Sequence, residues 1–260
     1  MITSIQNPSV KQMRKLHSVK ERRKQNLILL EGTHLVESAC ELNYSLVSVF
    51  CTPSWQETHP QLWENACQKS QRAEIVTPEI LRAIATTVNP DGVVATAPRR
   101  STSQISLDRV QLGLVLERLQ DPGNLGTIIR TATAADVDAL WLSEDSVDLE
   151  NPKVLRSSAG EWFKLPMAIS TDLLELVKDY RSRGGQVIAT LPQAPLTYWQ
   201  IDFTLPTLIL LGNEGGGLTE ELVSFADKQV KIPLGGGVES LNAAIAAALL
   251  LYEAKRQKNY

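Results

Sequence analysis

Two glycine-rich segments near the C-terminus carry the residues best placed to do chemistry: Leu211-Gly-Asn-Glu-Gly-Gly-Gly-Leu218 and Ile232-Pro-Leu-Gly-Gly-Gly-Val-Glu-Ser-Leu-Asn242. Without a Cβ, glycine lets main-chain N–H and C=O groups approach a flat ligand closely. Each segment follows a short apolar run, Thr207–Leu211 and Val230–Leu234. Turns at the carboxyl ends of strands line the crevice where open α/β sheets bind ligands. The chemistry expected is recognition of a nucleotide-like cofactor by backbone groups. Neither a phosphate loop ending in Lys-Ser/Thr nor a Gly-x-Gly-x-x-Gly after the first strand fits, and no Lys or Arg lies in either loop. A polyphosphate anchor is therefore not expected. Either loop alone reads equally well as a turn. The pair, with Asn213, Glu214, Glu239, Ser240 and Asn242 alongside, reads as a site.

A third segment follows the apolar run Leu112–Leu116: Glu117-Arg-Leu-Gln-Asp-Pro-Gly-Asn-Leu-Gly-Thr-Ile-Ile-Arg-Thr-Ala132. Asp121-Pro122-Gly123 is turn chemistry, and Asn124 is expected to cap a helix beginning near Leu125. That places Arg130 about one and a half turns into the helix, close to the strand edge.

In type, order and spacing, Asn124-Leu-Gly-Thr-Ile-Ile-Arg130, Gly212-Asn-Glu-Gly-Gly-Gly-Leu218 and Ile232–Asn242 resemble the three motifs of the SpoU (TrmH-like) RNA ribose 2′-O-methyltransferases of the SPOUT superfamily. Two departures are visible. Ala243 and Ala244 follow Asn242 where the family often has Val-Ser, and Thr219 follows Leu218 where Ser or Arg is common. Thr219 keeps a helix-capping hydroxyl.

The resemblance implies a deep trefoil knot formed by the last two glycine-rich segments, with S-adenosyl-L-methionine bent within it. It also implies a homodimer whose interface includes the final helix. Gly212, Ile232 and Leu241 coincide with cofactor contacts made through backbone groups, and Arg130 with the arginine given the central catalytic role. A guanidinium stays protonated, so anchoring a phosphate and stabilising a developing alkoxide is the economical reading for Arg130. Glu214 is the alternative base or an orienting partner, and Asn124 and Asn242 position the ribose or RNA backbone. Each also has a plain structural reading: Asn124 as a cap, Glu214 as a turn residue, Arg130 as a surface cation.

The formal net charge of −3 argues against a nucleic-acid partner only until its distribution is read. Lys11, Arg14, Lys15, Lys20, Arg22, Arg23 and Lys24 stand against Glu21 alone in the first 25 residues. Asn7 caps and Pro8 opens a basic amphipathic helix there, with Val10, Met13 and Leu16 on one face, which suits RNA contact. Cys40, Cys51 and Cys67 and His17, His34 and His59 are scattered, so neither a metal site nor a disulfide framework is expected, and no histidine is given a catalytic role. The richest apolar stretch, Ala243–Leu251, falls well short of the ~20 residues of a membrane span, and the first residues lack a signal-peptide core. A cytoplasmic location is the expectation.

These segments need elements to position them. From Asn26 to Pro98 short strands alternate with helices expected at 33–41, 56–70 and 78–85, giving a small α/β domain at 1–97 similar to the substrate-binding domain of one branch of the family. Residues 98–109 suit a linker. Over 110–260, strands expected at 112–116, 139–143, 165–169, 186–190, 207–211 and 229–232 alternate with helices, which indicates a mainly parallel sheet. The fold class read here is α/β, a C-terminal trefoil-knotted, mainly parallel sheet flanked by helices, with a smaller N-terminal α/β domain. Ribosomal RNA is favoured over transfer RNA as substrate because the extended N-terminal domain resembles the ribosomal branch. A non-catalytic RNA-binding or assembly protein keeping the fold, and an enzyme acting on a small nucleoside, are the alternatives.

Overall fold

The computed structural model describes residues 1–100, 105–213 and 215–259. The chain divides into two units, Met1–Ser101 with Asp148–Phe163, and Thr102–Val147 with Lys164–Tyr260.

The first unit opens as the sequence indicates, with Asn7 accepting from the Ser9 N–H and Pro8 starting α1 (Pro8–Lys15). The basic stretch is nevertheless two helices, since α2 (Val19–Gln25) begins anew after Ser18. Then follow β1 (Leu27–Glu31), α3 (Thr33–Glu41), β2 (Leu46–Cys51), α4 (Pro53–Thr58), α5 (Pro60–Lys69), β3 (Ser70–Ile75), α6 (Pro78–Ile84) and β4 (Val93–Pro98). The single helix expected over 56–70 is broken at Pro60, whose fixed φ and missing N–H end α4 and start α5. Strand order is β1-β4-β2-β3, with β2 and β3 parallel and the other pairs antiparallel. β3 reaches back to Ser70 because pairing with β2 recruits residues too polar to read as a strand.

Residues 148–163, expected within the second domain, pack with the first. Their helix α8 (Pro152–Ser157) lies against β1. Leu149, Val154, Leu155 and Trp162 are buried. Arginines clamp the segment: Arg99 Nε lies 2.6 Å from Glu150 Oε2, Arg156 Nη1 lies 2.6 Å from Glu31 Oε2, and Arg22 pairs with Asp148. Arg22 also donates to the Leu16 and His17 carbonyls at 2.7 and 3.0 Å and is 1% exposed. It is therefore withdrawn from the cations expected to meet RNA. Lys11, Arg14, Lys15, Lys20, Arg23 and Lys24 are all exposed.

The second unit runs β5 (Leu112–Leu116), α7 (Pro122–Ala134), β6 (Ala139–Ser143), β7 (Met167–Ser170), α9 (Leu173–Ser182), β8 (Gln186–Thr190), β9 (Leu196–Thr197), β10 (Thr207–Leu211), α10 (Glu220–Ser224), β11 (Lys228–Lys231) and α11 (Ala243–Asn259). Its strands are joined in one parallel sheet of seven, order β7-β6-β5-β10-β8-β11-β9. The central strands β5 and β10 are fully buried and, apart from Gly113 and Thr207, aliphatic, the pattern of a sheet covered on both faces. β10 lies between β5 and β8, and β11 between β8 and β9, so both glycine-rich segments leave strands interleaved among earlier ones. Short β9 carries no periodicity that would announce it. Among the described residues no helix is long and apolar enough to cross a membrane.

Candidate active site

Strand β5 delivers Glu117 and Arg118 to the edge of the sheet, and the chain turns through Asp121-Pro122 into α7. Asp121, rather than Asn124, caps this helix: its Oδ1 accepts from the Asn124 N–H at 2.7 Å, and Pro122 takes the first helical position. An Asp cap followed by Pro is a stronger helix start than the Asn further on, and it draws the helix back to Pro122. Asn124 is thereby released from capping, and its Oδ1 accepts from Asn242 Nδ2 at 2.8 Å. Further along α7, Leu125, Ile128, Ile129 and Ala132 are buried while Arg130 is exposed. Among the described residues Arg130 makes no hydrogen bond or ion pair, so its guanidinium is available to an anion.

The second loop is built by Asn213 and Glu117. Asn213 Oδ1 accepts from the N–H groups of Gly215 and Gly216 at 2.7 and 3.2 Å, and its Nδ2 donates to the Arg118 carbonyl at 2.8 Å. The buried Glu117 carboxylate accepts from the Thr219 N–H at 2.7 Å and from its hydroxyl at 2.8 Å. Thr219 also caps α10, so the residue that departs from the family pattern keeps its capping role. At Gly212 a Cβ would fall 2.1 Å from the Gly217 carbonyl carbon and 2.3 Å from the Leu218 nitrogen. Two stretches of backbone touch there, and only glycine fits. Glu214 lies outside the described residues.

The third loop turns at Gly236 and Gly237, with φ of 66° and 75°. It ends at Asn242, whose Oδ1 accepts from the Ala244 and Ile245 N–H groups at 2.9 and 3.3 Å. Helix α11 accordingly starts at Ala243, directly after the cap.

A cleft opens where these loops meet, lined by Gly212, Ile232 and Leu241 together with Glu239, Ser240 and the end of β8 at Thr190–Pro192. The three residues expected to contact a cofactor thus share one cavity. Asn242 follows directly on its lining and carries Asn124 with it, whereas Arg130 lies outside the lining, on the exposed face of α7. Thr190, Glu117 and Arg118 were not among the expected site residues. The rule that ligands sit beyond the carboxyl ends of strands, applied to Gln186–Thr190 as it was to the glycine loops, points to Thr190. Thr190 lines the cleft, and its Oγ1 is buried without a hydrogen-bond partner among the described residues. Among the described residues no group of His, Cys, Asp and Glu could hold a metal ion.

Comparison with known proteins agrees with this arrangement. Residues 111–252 match the model of the SpoU rRNA Methylase family, and residues 7–95 match that of an MRM3-like substrate binding domain. The chain belongs to the SpoU rRNA methylase family. It is 48% identical to an uncharacterized tRNA/rRNA methyltransferase of Synechocystis over 257 residues, 99% of this chain and 94% of that protein. A 23S rRNA guanosine 2′-O-methyltransferase of Bacillus subtilis is 34% identical over 96% of this chain and 97% of its own length. The structure of an AdoMet-bound rRNA methyltransferase from Sinorhizobium meliloti superposes with a TM-score of 0.85 at 31% identity, covering 98% of this chain and 97% of the other.

Proposed function

We propose that this chain transfers a methyl group from S-adenosyl-L-methionine to a ribose 2′-hydroxyl of ribosomal RNA. The observation that carries the reading is the cleft at the ends of β8, β10 and β11. It brings together Gly212, Ile232 and Leu241, with Asn213, Glu239 and Ser240 beside them. Part of its wall is the close approach of Gly212 to the Gly217–Leu218 backbone, which leaves no room for a side chain there. These features suit a flat, polar, uncharged ring system such as adenine with its ribose, and the lack of basic residues in the lining suits a cofactor without phosphates. When bound, S-adenosyl-L-methionine supplies the electrophilic methyl group and its leaving group.

The protein's own task is to hold the hydroxyl in line and to ease loss of its proton. Arg130 anchors a phosphate of the target strand and stabilises the developing alkoxide by charge-assisted hydrogen bonds. Asn124 and Asn242, held together at 2.8 Å, position the ribose beside the cleft. Glu214 is the acidic group assigned to receive the proton or to orient Arg130. The exposed cations of α1 and α2 bind RNA phosphates, with residues 1–97, completed by 148–163, as the substrate domain, 98–109 as a linker and the rest of 110–260 as the methyltransferase domain.

The protein acts as a homodimer in the cytoplasm. Ile245, Leu249 and Tyr252 are 52%, 37% and 52% exposed at helical spacing on α11, an apolar stripe that a second copy covers. Replacing Leu249 with Glu should then give a monomer in sedimentation experiments. The activity itself is tested by incubating the protein with labelled cofactor and with ribosomal and transfer RNA from a host lacking the modification. Label retained in ribosomal RNA, and lost when the mapped target carries a 2′-deoxyribose, is the expected result. Equal labelling of the deoxy substrate would move the chemistry to a base.

A further inference from the structure

Arg118 adopts a left-handed backbone, with φ of 55°, at the end of β5. Glycine and asparagine take that conformation at least cost, and a long side chain there is unusual. Three hydrogen bonds of its main chain hold it in place. The N–H donates to Ser143 Oγ at 2.8 Å, and the carbonyl accepts from Asn213 Nδ2 at 2.8 Å and Gln120 Nε2 at 3.1 Å. The backbone turn is thus secured without any help from the guanidinium.

The guanidinium instead reaches across the second glycine loop. Its Nη2 donates to the Gly217 carbonyl at 3.2 Å, lies 3.9 Å from Glu117 Oε2, and lies 3.9 Å from the position a Cβ on Gly216 would take. Its Nε is buried without a partner among the described residues. Gly217 is the residue whose backbone closes on Gly212, and both line the cleft. Arg118 therefore grips the loop at its two ends, Asn213 through its carbonyl and Gly217 through its side chain, while Glu117 fixes Thr219 just beyond.

We propose that Arg118 is a positioning residue that holds Asn213 and Gly217 in place at the wall of the cofactor cleft. The strained backbone thus aims a guanidinium at Gly217, which lines the cleft. The assignment rests on the reading of that cleft as the S-adenosyl-L-methionine site.

The test uses the full chain, with calorimetric titration of S-adenosyl-L-homocysteine and thermal unfolding of the ligand-free protein. Arg118→Gly and Arg118→Asn both accept the left-handed backbone. Each should unfold at or above the wild-type temperature yet bind the ligand about tenfold more weakly, the loss expected of one charge-assisted hydrogen bond. Arg118→Lys, which keeps the charge and a donor, should recover part of the affinity. Wild-type affinity in Arg118→Gly overturns the proposal. So does a parallel fall of melting temperature and affinity in both variants, since that marks a purely structural role. Failure of the wild-type chain itself to bind the ligand would instead remove the cofactor reading on which the proposal stands.

Discussion

Asn242 joins two helices through one side chain: its Nδ2 donates to Asn124 Oδ1 at 2.8 Å, and its Oδ1 accepts from the Ala244 N–H at 2.9 Å to cap α11. The start of α7 and the start of α11 are thereby tied at the edge of the cleft. Substituting either residue breaks the bridge, but only one substitution also removes the cap. Asn124→Ala should leave thermal stability within about 0.5 kcal/mol of wild type, and Asn242→Ala should cost about 1 kcal/mol. Methyl transfer should fall at least about tenfold in both. A loss of activity that tracks stability, large in one variant and absent in the other, would reduce the bridge to a cap.

Arg130 is exposed and unpaired among the described residues, so Arg130→Lys should disturb neither folding nor cofactor binding. It keeps the charge and loses the planar fork, and turnover should drop on the order of 100-fold. Single-turnover transfer at saturating RNA and cofactor is the measurement, and near-normal rates would take Arg130 out of the reaction.

The basic helices hold two kinds of arginine. Replacing Lys11, Arg14, Lys15 and Arg23 with Gln should flatten the salt dependence of RNA affinity by roughly 0.7 to 0.9 for each phosphate no longer neutralised, with little change in melting temperature. Arg22→Ala should do the reverse. It strands Asp148, which is 13% exposed, and costs about 3 kcal/mol of stability. Salt titration and thermal unfolding of the two variants separate the roles.

Truncation should expose the packing of residues 148–163. A fragment lacking residues 1–97 leaves Leu149, Val154, Leu155 and Trp162 without their covering and should aggregate. A fragment that also replaces 148–163 with a short polar linker should remain dispersed and bind S-adenosyl-L-homocysteine. Good behaviour of the first fragment would show that the segment is held by its own unit.

Burial pushes the Cys51 thiol up to about 12 and raises those of Cys40 and Cys67 as well. A thiolate is the reactive form, so none should react quickly with a thiol reagent at pH 8. Cys67, the half-buried member, should be labelled first, and all three only after denaturation.

The sequence discloses the parts of the site made of backbone. Gly212, Ile232 and Leu241 sit in loops whose composition announces close approach, and they do line one cleft. What depends on tertiary partners is hidden. A charged residue within a basic run looks the same whether it faces water or, like Arg22, a buried carboxylate. Asn124 and Asp121 are both good caps in isolation, and only the helix start at Pro122 decides between them. Arg118 shows no signal at all, because positive φ at a residue other than glycine is imposed by Ser143, Asn213 and Gln120 through bonds that only the folded chain can make.

The placement of residues 148–163 in the first unit bears on how the protein is made. A ribosome delivers roughly 5 to 20 residues per second from the N-terminus, and domains generally fold as they emerge. Here the N-terminal unit cannot finish at residue 101, because Glu31, Arg22 and Arg99 still await Arg156, Asp148 and Glu150. It stays incomplete until residue 163 has appeared, by which point β5, α7 and β6 of the next unit are already outside. The first unit is thus completed only while the second is being made, and a nascent chain halted between residues 101 and 148 would present β1 without α8 to the chaperones around it.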